Sequence, residues 1–269
     1  MLLSKAEATA KKILSEFGLN EIGILTSTEL QTIIQARGAY YEEVELDSMD
    51  GRIVTFNGKS VISINKNIVG TGKKRFTAAH ELGHFELHKN IQPPADTQYE
   101  LCNWYQSGSH EKEANDFASE LLMPTHLFIQ ECKGKKFGPQ LIKQLAETFQ
   151  VTHTAIILKI LKANVHPVCV IATKKNKIKW WKLSQSMESA DHEFIPGWTK
   201  YKLRITSNLP PPPDSVMGQF FKSNKSLETL QEIDKSTWFL THPQDNLVML
   251  EYCNYIRDYD FGLSVVWED

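Results

Sequence analysis

A chain of 269 residues, 41% of them hydrophobic, is long enough to bury one large core or two modest ones. Its 30 Lys and Arg against 32 Asp and Glu leave a formal charge of −2, which excludes the overall basic signature of a nucleic-acid binder. There is no long apolar run and no charged-then-apolar leader, so a soluble cytoplasmic protein is expected, and the scattered Cys102, Cys132, Cys169 and Cys253 read as reduced structural thiols.

From about Ser4 to Phe17, Ala, Ile, Leu and Phe recur at helical spacing before Gly18, which predicts an amphipathic helix closed by that glycine. Arg52 to Phe56, the pair Asn57-Gly58, and Lys59 to Asn65 spell a β-hairpin with a tight turn. Its second strand directly precedes the most informative motif of the chain. Val61 to Asn65 is therefore a candidate edge strand for extended substrate, with Asn65 among its contacts; a purely structural hairpin is the alternative.

That motif is His80-Glu81-Leu82-Gly83-His84, led by Arg75-Phe76-Thr77-Ala78-Ala79 with no Gly or Pro to break a helix. Two imidazoles one turn apart with a carboxylate between them suit metal-assisted activation of water, Glu81 serving as general base. The helix is apolar on both sides, so it is expected to be buried, and buried histidines need partners. A peptidase zinc site needs a third protein ligand. His88 follows at the same spacing, but His80 and His88 are about 12 Å apart along a straight helix, too far for one ion. Second-shell support or substrate contact are the roles left to it.

Residues Asn90 to Ser109 include Pro93-Pro94, Trp104 and Tyr105 and read as a long loop. Such a loop can act as a lid, with Tyr99 or Tyr105 as oxyanion donor, although tyrosines in loops more commonly serve as packing anchors. A second helix is predicted from about Ser109 to the stop at Pro124. Glu111, Ala114, Asn115, Ala118, Leu121 and Leu122 share one face of it, whereas Glu113, Asp116 and Glu120 fall on the other, read as solvated. An inward Glu111 calls for a cation beside it and is the candidate third ligand, His110 being the alternative. Asn115, one turn on, is placed to fix the tautomer of a ligand histidine.

The run from Arg75 through His88, followed by Glu111-Lys112-Glu113-Ala114-Asn115-Asp116-Phe117-Ala118 and Leu121-Leu122-Met123-Pro124, resembles the ImmA/IrrE family of metallopeptidases. The resemblance implies an α+β fold: a zincin-like metallopeptidase domain, a helix-turn-helix-like segment and a β-rich C-terminal domain. It implies that His80, His84 and Glu111 hold the metal and that Glu81 is the general base. Zinc is the expected cofactor, with manganese or iron compatible. Characterised relatives are bacterial or phage-borne regulators that relieve repression by acting on helix-turn-helix repressors, so a protein substrate of that class is expected. A metal-binding regulator that sequesters its partner without cutting it, or a DNA-binding protein, is the alternative.

Phe137 to Leu161 reads as two helices joined at Gln150-Val151-Thr152, with Thr152 capping the second. The outline is that of a helix-turn-helix, and lysines surround it. Its second helix nevertheless offers Thr154, Ala155, Ile156 and Ile157, and these are poor readers of base edges, so packing is favoured over DNA binding. From His166 the pattern changes to strands at Val168–Ala172, Lys177–Leu183, Tyr201–Ile205, Trp238–Leu240, Leu247–Tyr252 and Leu263–Trp267, interrupted by the stiff Pro210 to Pro213 run. Trp180, Trp181, Trp198, Trp238 and Trp267 are expected mainly in their core. The domain boundaries expected are 1–130 for the peptidase, 131–165 for the helical segment and 166–269 for the β-rich part, whose resemblance to longer relatives suggests a sensor or partner-binding role.

Overall fold

The computed structural model describes residues 3–19, 24–88, 110–189, 193–195, 198–223, 230–241, 247–256 and 259–268. It is a mixed α+β structure in two compact units, one formed by residues 1–132 with 144–155 and the other by 133–143 with 156–269. Residues 131–165, expected as a segment of their own, are thus divided between the two.

In the first unit, helix α1 (Lys5–Glu16) starts where Ser4 and Glu7 cap each other. The Ser4 hydroxyl accepts from the Glu7 amide at 3.3 Å, and the Glu7 carboxylate accepts from the Ser4 amide at 2.8 Å. Gly18, with φ +68°, ends it as expected. Helix α2 (Ser27–Ala36) repeats the device with Thr26 and Glu29. Strands β1 (Ala39–Val44), β2 (Gly51–Phe56) and β3 (Lys59–Asn65) follow, and Asn57 and Gly58, both at positive φ, make the β2–β3 turn.

The sheet order is β1-β3-β2, with β3 parallel to β1 and antiparallel to β2. This corrects the edge-strand expectation: Val61 to Asn65 lie in the central strand, hydrogen-bonded on both sides, and cannot accept an added strand. Asn65 is corrected as well. Its Nδ2 donates to the Leu46 and Met49 carbonyls at 2.8 and 2.9 Å, and its Oδ1 accepts from the Asn67 amide at 3.0 Å, so backbone rather than substrate takes up its side chain.

Helix α3 (Thr71–Leu87) carries the HExxH motif and packs against α2, β2, β3 and α4 (His110–Leu122). Helix α5 (Thr125–Cys132) follows Pro124. Asp116 and Glu120 of α4, read as solvated, are buried, Glu120 to 1% exposure. The reason is that α4 is packed by both α1 and α3. Glu120 is put to use as a cap for α5, accepting from the Thr125 amide at 3.1 Å and from its hydroxyl.

Helices α6 (Pro139–Phe149) and α7 (His153–Ala163) occupy the expected places. Gln150 turns with φ +51°, and the Thr152 hydroxyl accepts from the Ala155 amide at 3.2 Å. Every residue from Thr154 to Leu161 is buried.

In the second unit, strands β4 (Cys169–Lys174), β5 (Lys177–Leu183), β8 (Leu230–Asp234), β9 (Val248–Ile256) and β10 (Phe261–Trp267) form an antiparallel sheet in the order β5-β4-β10-β9-β8. The intervening numbers belong to a short pair, β6 (Glu193–Ile195) with β7 (Trp198–Thr199). Helices α8 (Gln185–Ser189) and α9 (Val216–Ser223) complete the described elements. The expected strands at Tyr201–Ile205 and Trp238–Leu240 reduce to a single bridge between Leu203 and Phe239, because a 3₁₀ turn at Lys235–Thr237 runs directly into the second of them. Trp238 and Trp267 are buried core residues, whereas Trp180 and Trp181 are only partly covered. The side chain of Trp198 lies outside the described residues.

Cys132, Cys169 and Cys253 are buried thiols in no disulfide, and burial pushes those of Cys169 and Cys253 well above the usual range. Cys102 lies outside the described residues.

Candidate metal centre

The site is built where α3 and α4 approach most closely. A Cβ on Gly83 would stand 3.1 Å from the Cα of Ala114, so a larger residue would have to push the two backbones apart by a few tenths of an ångström here. Phe117, Ala118, Leu121 and Leu122 continue the contact as fully buried residues. Helical periodicity then aims His80 and His84 of α3 at Glu111 and Asn115 in the first turns of α4.

His80 Nε2 and His84 Nε2 lie 3.0 Å apart, and the Glu111 carboxylate reaches them through its two oxygens, Oε2 at 3.1 Å from His80 and Oε1 at 3.2 Å from His84. Donor atoms about 2.0–2.1 Å from a tetrahedral zinc would be about 3.3 Å from one another. The triangle fits such an ion, and the set of two imidazoles and one carboxylate is one that suits catalytic zinc. Among the described residues this is the one group of His, Cys, Asp or Glu so disposed. Burial pushes the Glu111 carboxyl up, but hydrogen bonds from His80 and His84 and their charge outweigh it and hold the group well below the ordinary carboxylate range. Its side chain is 40% exposed, so the open side of the site lies at this carboxylate.

Asn115 occupies the place expected of it: its Oδ1 accepts from His80 Nδ1 at 2.8 Å, which leaves the Nε2 lone pair facing the other donors. His88 stands behind His84, with Nδ1 atoms 3.1 Å apart, and its Nε2 meets Glu113 Oε2 at 2.8 Å. Burial lowers the pKa of His88, helped by His84 and His110 and opposed by Glu113. Glu113 is half exposed but not merely solvated, and its bond to His88 holds its carboxyl low. The structure leaves His110 outside the donor triangle; its ring packs against His88 with centroids 4.4 Å apart. Tyr99 and Tyr105 lie outside the described residues.

Glu81 is buried and faces the start of β2. A Cβ on Gly51 would lie 3.0 Å from Glu81 Oε1 and 2.6 Å from Thr77 Cγ2. Thr77 cannot readily yield, because its hydroxyl is bonded to the Lys73 carbonyl at 3.0 Å. Gly51→Ala should therefore destabilise the chain by about 1–3 kcal/mol through overpacking, measured by urea unfolding; a variant as stable as wild type would show that the contact between β2 and α3 is slack. Sequence reasoning passed over Gly51, whose only signal was a glycine opening a strand.

Two further contacts fix α3. Arg37 grips Glu86 with paired bonds of 2.9 Å. Buried Arg75 donates to the carbonyls of Phe149 and Gln150 at 2.9 and 2.8 Å and to that of Leu25, and burial pushes its guanidinium down to about 10.

A buried helix bearing two histidines and a glutamate, crossed by a second helix that supplies the third donor, defines the class of zincin-like metallopeptidase domains. Residues 35–160 match the model of the peptidase M78 family, described as the IrrE N-terminal-like domain. The match takes in His80, Glu81, His84 and Glu111. Among solved structures, a Mycobacterium tuberculosis transcriptional regulator is similar with a TM-score of 0.58 at 13% identity, over 99% of this chain and 88% of that one, a likeness of fold. No curated protein matches the sequence.

Proposed function

We propose that this chain is a metal-dependent endopeptidase of the cytoplasm, with zinc as its metal, that cleaves a helix-turn-helix transcriptional repressor and so relieves repression. The observation that carries this reading is the convergence of His80 Nε2, His84 Nε2 and the Glu111 carboxylate at coordination spacing on the helix that also bears Glu81.

His80, His84 and Glu111 would hold the ion, which when bound lowers the pKa of a water to about 7 and polarises a carbonyl oxygen. Glu81 takes the proton of the attacking water and delivers it to the leaving amine. Asn115 keeps His80 in the tautomer that presents Nε2. The edge strand beside Glu81 is β2, so an extended substrate would pair there rather than along β3. Thr154 to Leu161 are buried, which leaves only the ends of α7, with His153 and Lys162, partly exposed and speaks against a DNA-reading role for that helix.

The test is to incubate the zinc-loaded full chain, and its Glu81→Gln variant, with the helix-turn-helix repressor encoded beside its gene and to follow fragments by mass spectrometry. Cleavage by the wild type alone supports the reading. An intact repressor held in a stable complex by the metal-loaded wild type would replace it with the sequestering regulator.

A further inference from the structure

We propose that Glu113 and His88 form a positioning relay that sets the tautomer of His84 and so strengthens its grip on the metal; this rests on the metal-site reading above. A carboxylate only accepts, so the 2.8 Å contact between Glu113 Oε2 and His88 Nε2 places a proton on that nitrogen. The two Nδ1 atoms of His84 and His88, 3.1 Å apart, cannot both carry protons. With Nε2 protonated, neutral His88 has a bare Nδ1, which accepts from His84 Nδ1–H. His84 is then left with a bare Nε2, and this is the atom that faces His80 and Glu111.

Each ligand histidine thus has its own acceptor behind it, an amide oxygen for His80 and an imidazole nitrogen for His84. The second acceptor is itself oriented by Glu113 and by the ring of His110 packed against it. Carboxylate–imidazole support of this type raises the basicity of the ligand nitrogen and fixes its ring.

The experiment measures zinc affinity of the full chain by competition with a chromophoric chelator for wild type, His88→Leu and His88→Asn, with thermal unfolding of each metal-free variant as a check on folding. His88→Leu is expected to bind zinc about 10–100-fold more weakly. His88→Asn places an amide oxygen close to the lost Nδ1, as Asn115 does for His80, and is expected to recover most of that loss. Nitrogen-15 spectra of the imidazoles read the relay independently of metal: His88 should be the Nε2–H tautomer in the wild type and a tautomer mixture in Glu113→Ala. Folded His88→Leu with wild-type zinc affinity would overturn the relay. A wild-type chain that takes up no zinc while His88 remains locked as Nε2–H would instead overturn the metal-site reading and leave the Glu113–His88 pair standing.

Discussion

Glu81→Gln is expected to lower peptide hydrolysis by about 10²–10⁴-fold, the usual contribution of a positioned general base, while zinc content stays at the wild-type level. The two halves of that expectation come from different observations. Glu81 is not one of the three converging donors, so its loss leaves the ligand triangle intact. Glutamine has the same shape and fits the same space against Gly51, so packing is preserved, but an amide cannot accept the water's proton. Turnover under saturating substrate, with metal measured by atomic emission on the same sample, separates the halves. Turnover at the wild-type rate would remove Glu81 from the chemistry, and loss of zinc would make it a ligand.

The second large effect belongs to the C-terminal unit. Glu251 on β9 is fully buried. Its Oε2 accepts from the Val216 amide at 3.0 Å and from Trp238 Nε1 at 2.9 Å, and its Oε1 from the Met217 amide at 3.3 Å and the Ser264 hydroxyl at 2.6 Å. One carboxylate thereby joins two strands, the start of α9 and the largest buried side chain of the unit. Burial pushes its pKa up against the pull of those donors. Glu251→Ala strands four buried donors at once and should cost about 3–5 kcal/mol, given about 1–3 kcal/mol for each buried donor left without an acceptor and partial relief by rearrangement. Urea unfolding followed through tryptophan fluorescence checks it. A loss below about 1 kcal/mol, no more than an ordinary hydrogen bond, would mean that water replaces the carboxylate.

What could be read from the sequence was short in range. The Asn57-Gly58 turn, the Gly18 stop, the Thr152 cap, the HExxH helix and the inward faces of Glu111 and Asn115 depend on residues within a turn or two of one another. What could not be read depends on neighbours distant in the chain. β3 looked like an edge because its parallel partner, the polar run Tyr40-Tyr41-Glu42-Glu43, carries no strong strand signal of its own. Asp116 and Glu120 looked solvated because nothing local announces that α1 will pack against α4. Glu113 was assigned to solvent because a helical projection gives the direction of a Cβ and not the reach of a glutamate, which bends round to His88. Tyr201–Ile205 and Trp238–Leu240 have the composition of strands, but the 3₁₀ turn before Trp238 leaves no length for a ladder.

Asn65 has a mechanical consequence out of proportion to its distance in sequence from the donors. Through one amide it ties the loop that delivers Gly51 to Glu81 and the turn that leads into α3. The strand beside Glu81 and the helix that carries it are thereby coupled at a common anchor, so that a displacement of either approach to the site is passed on to the other.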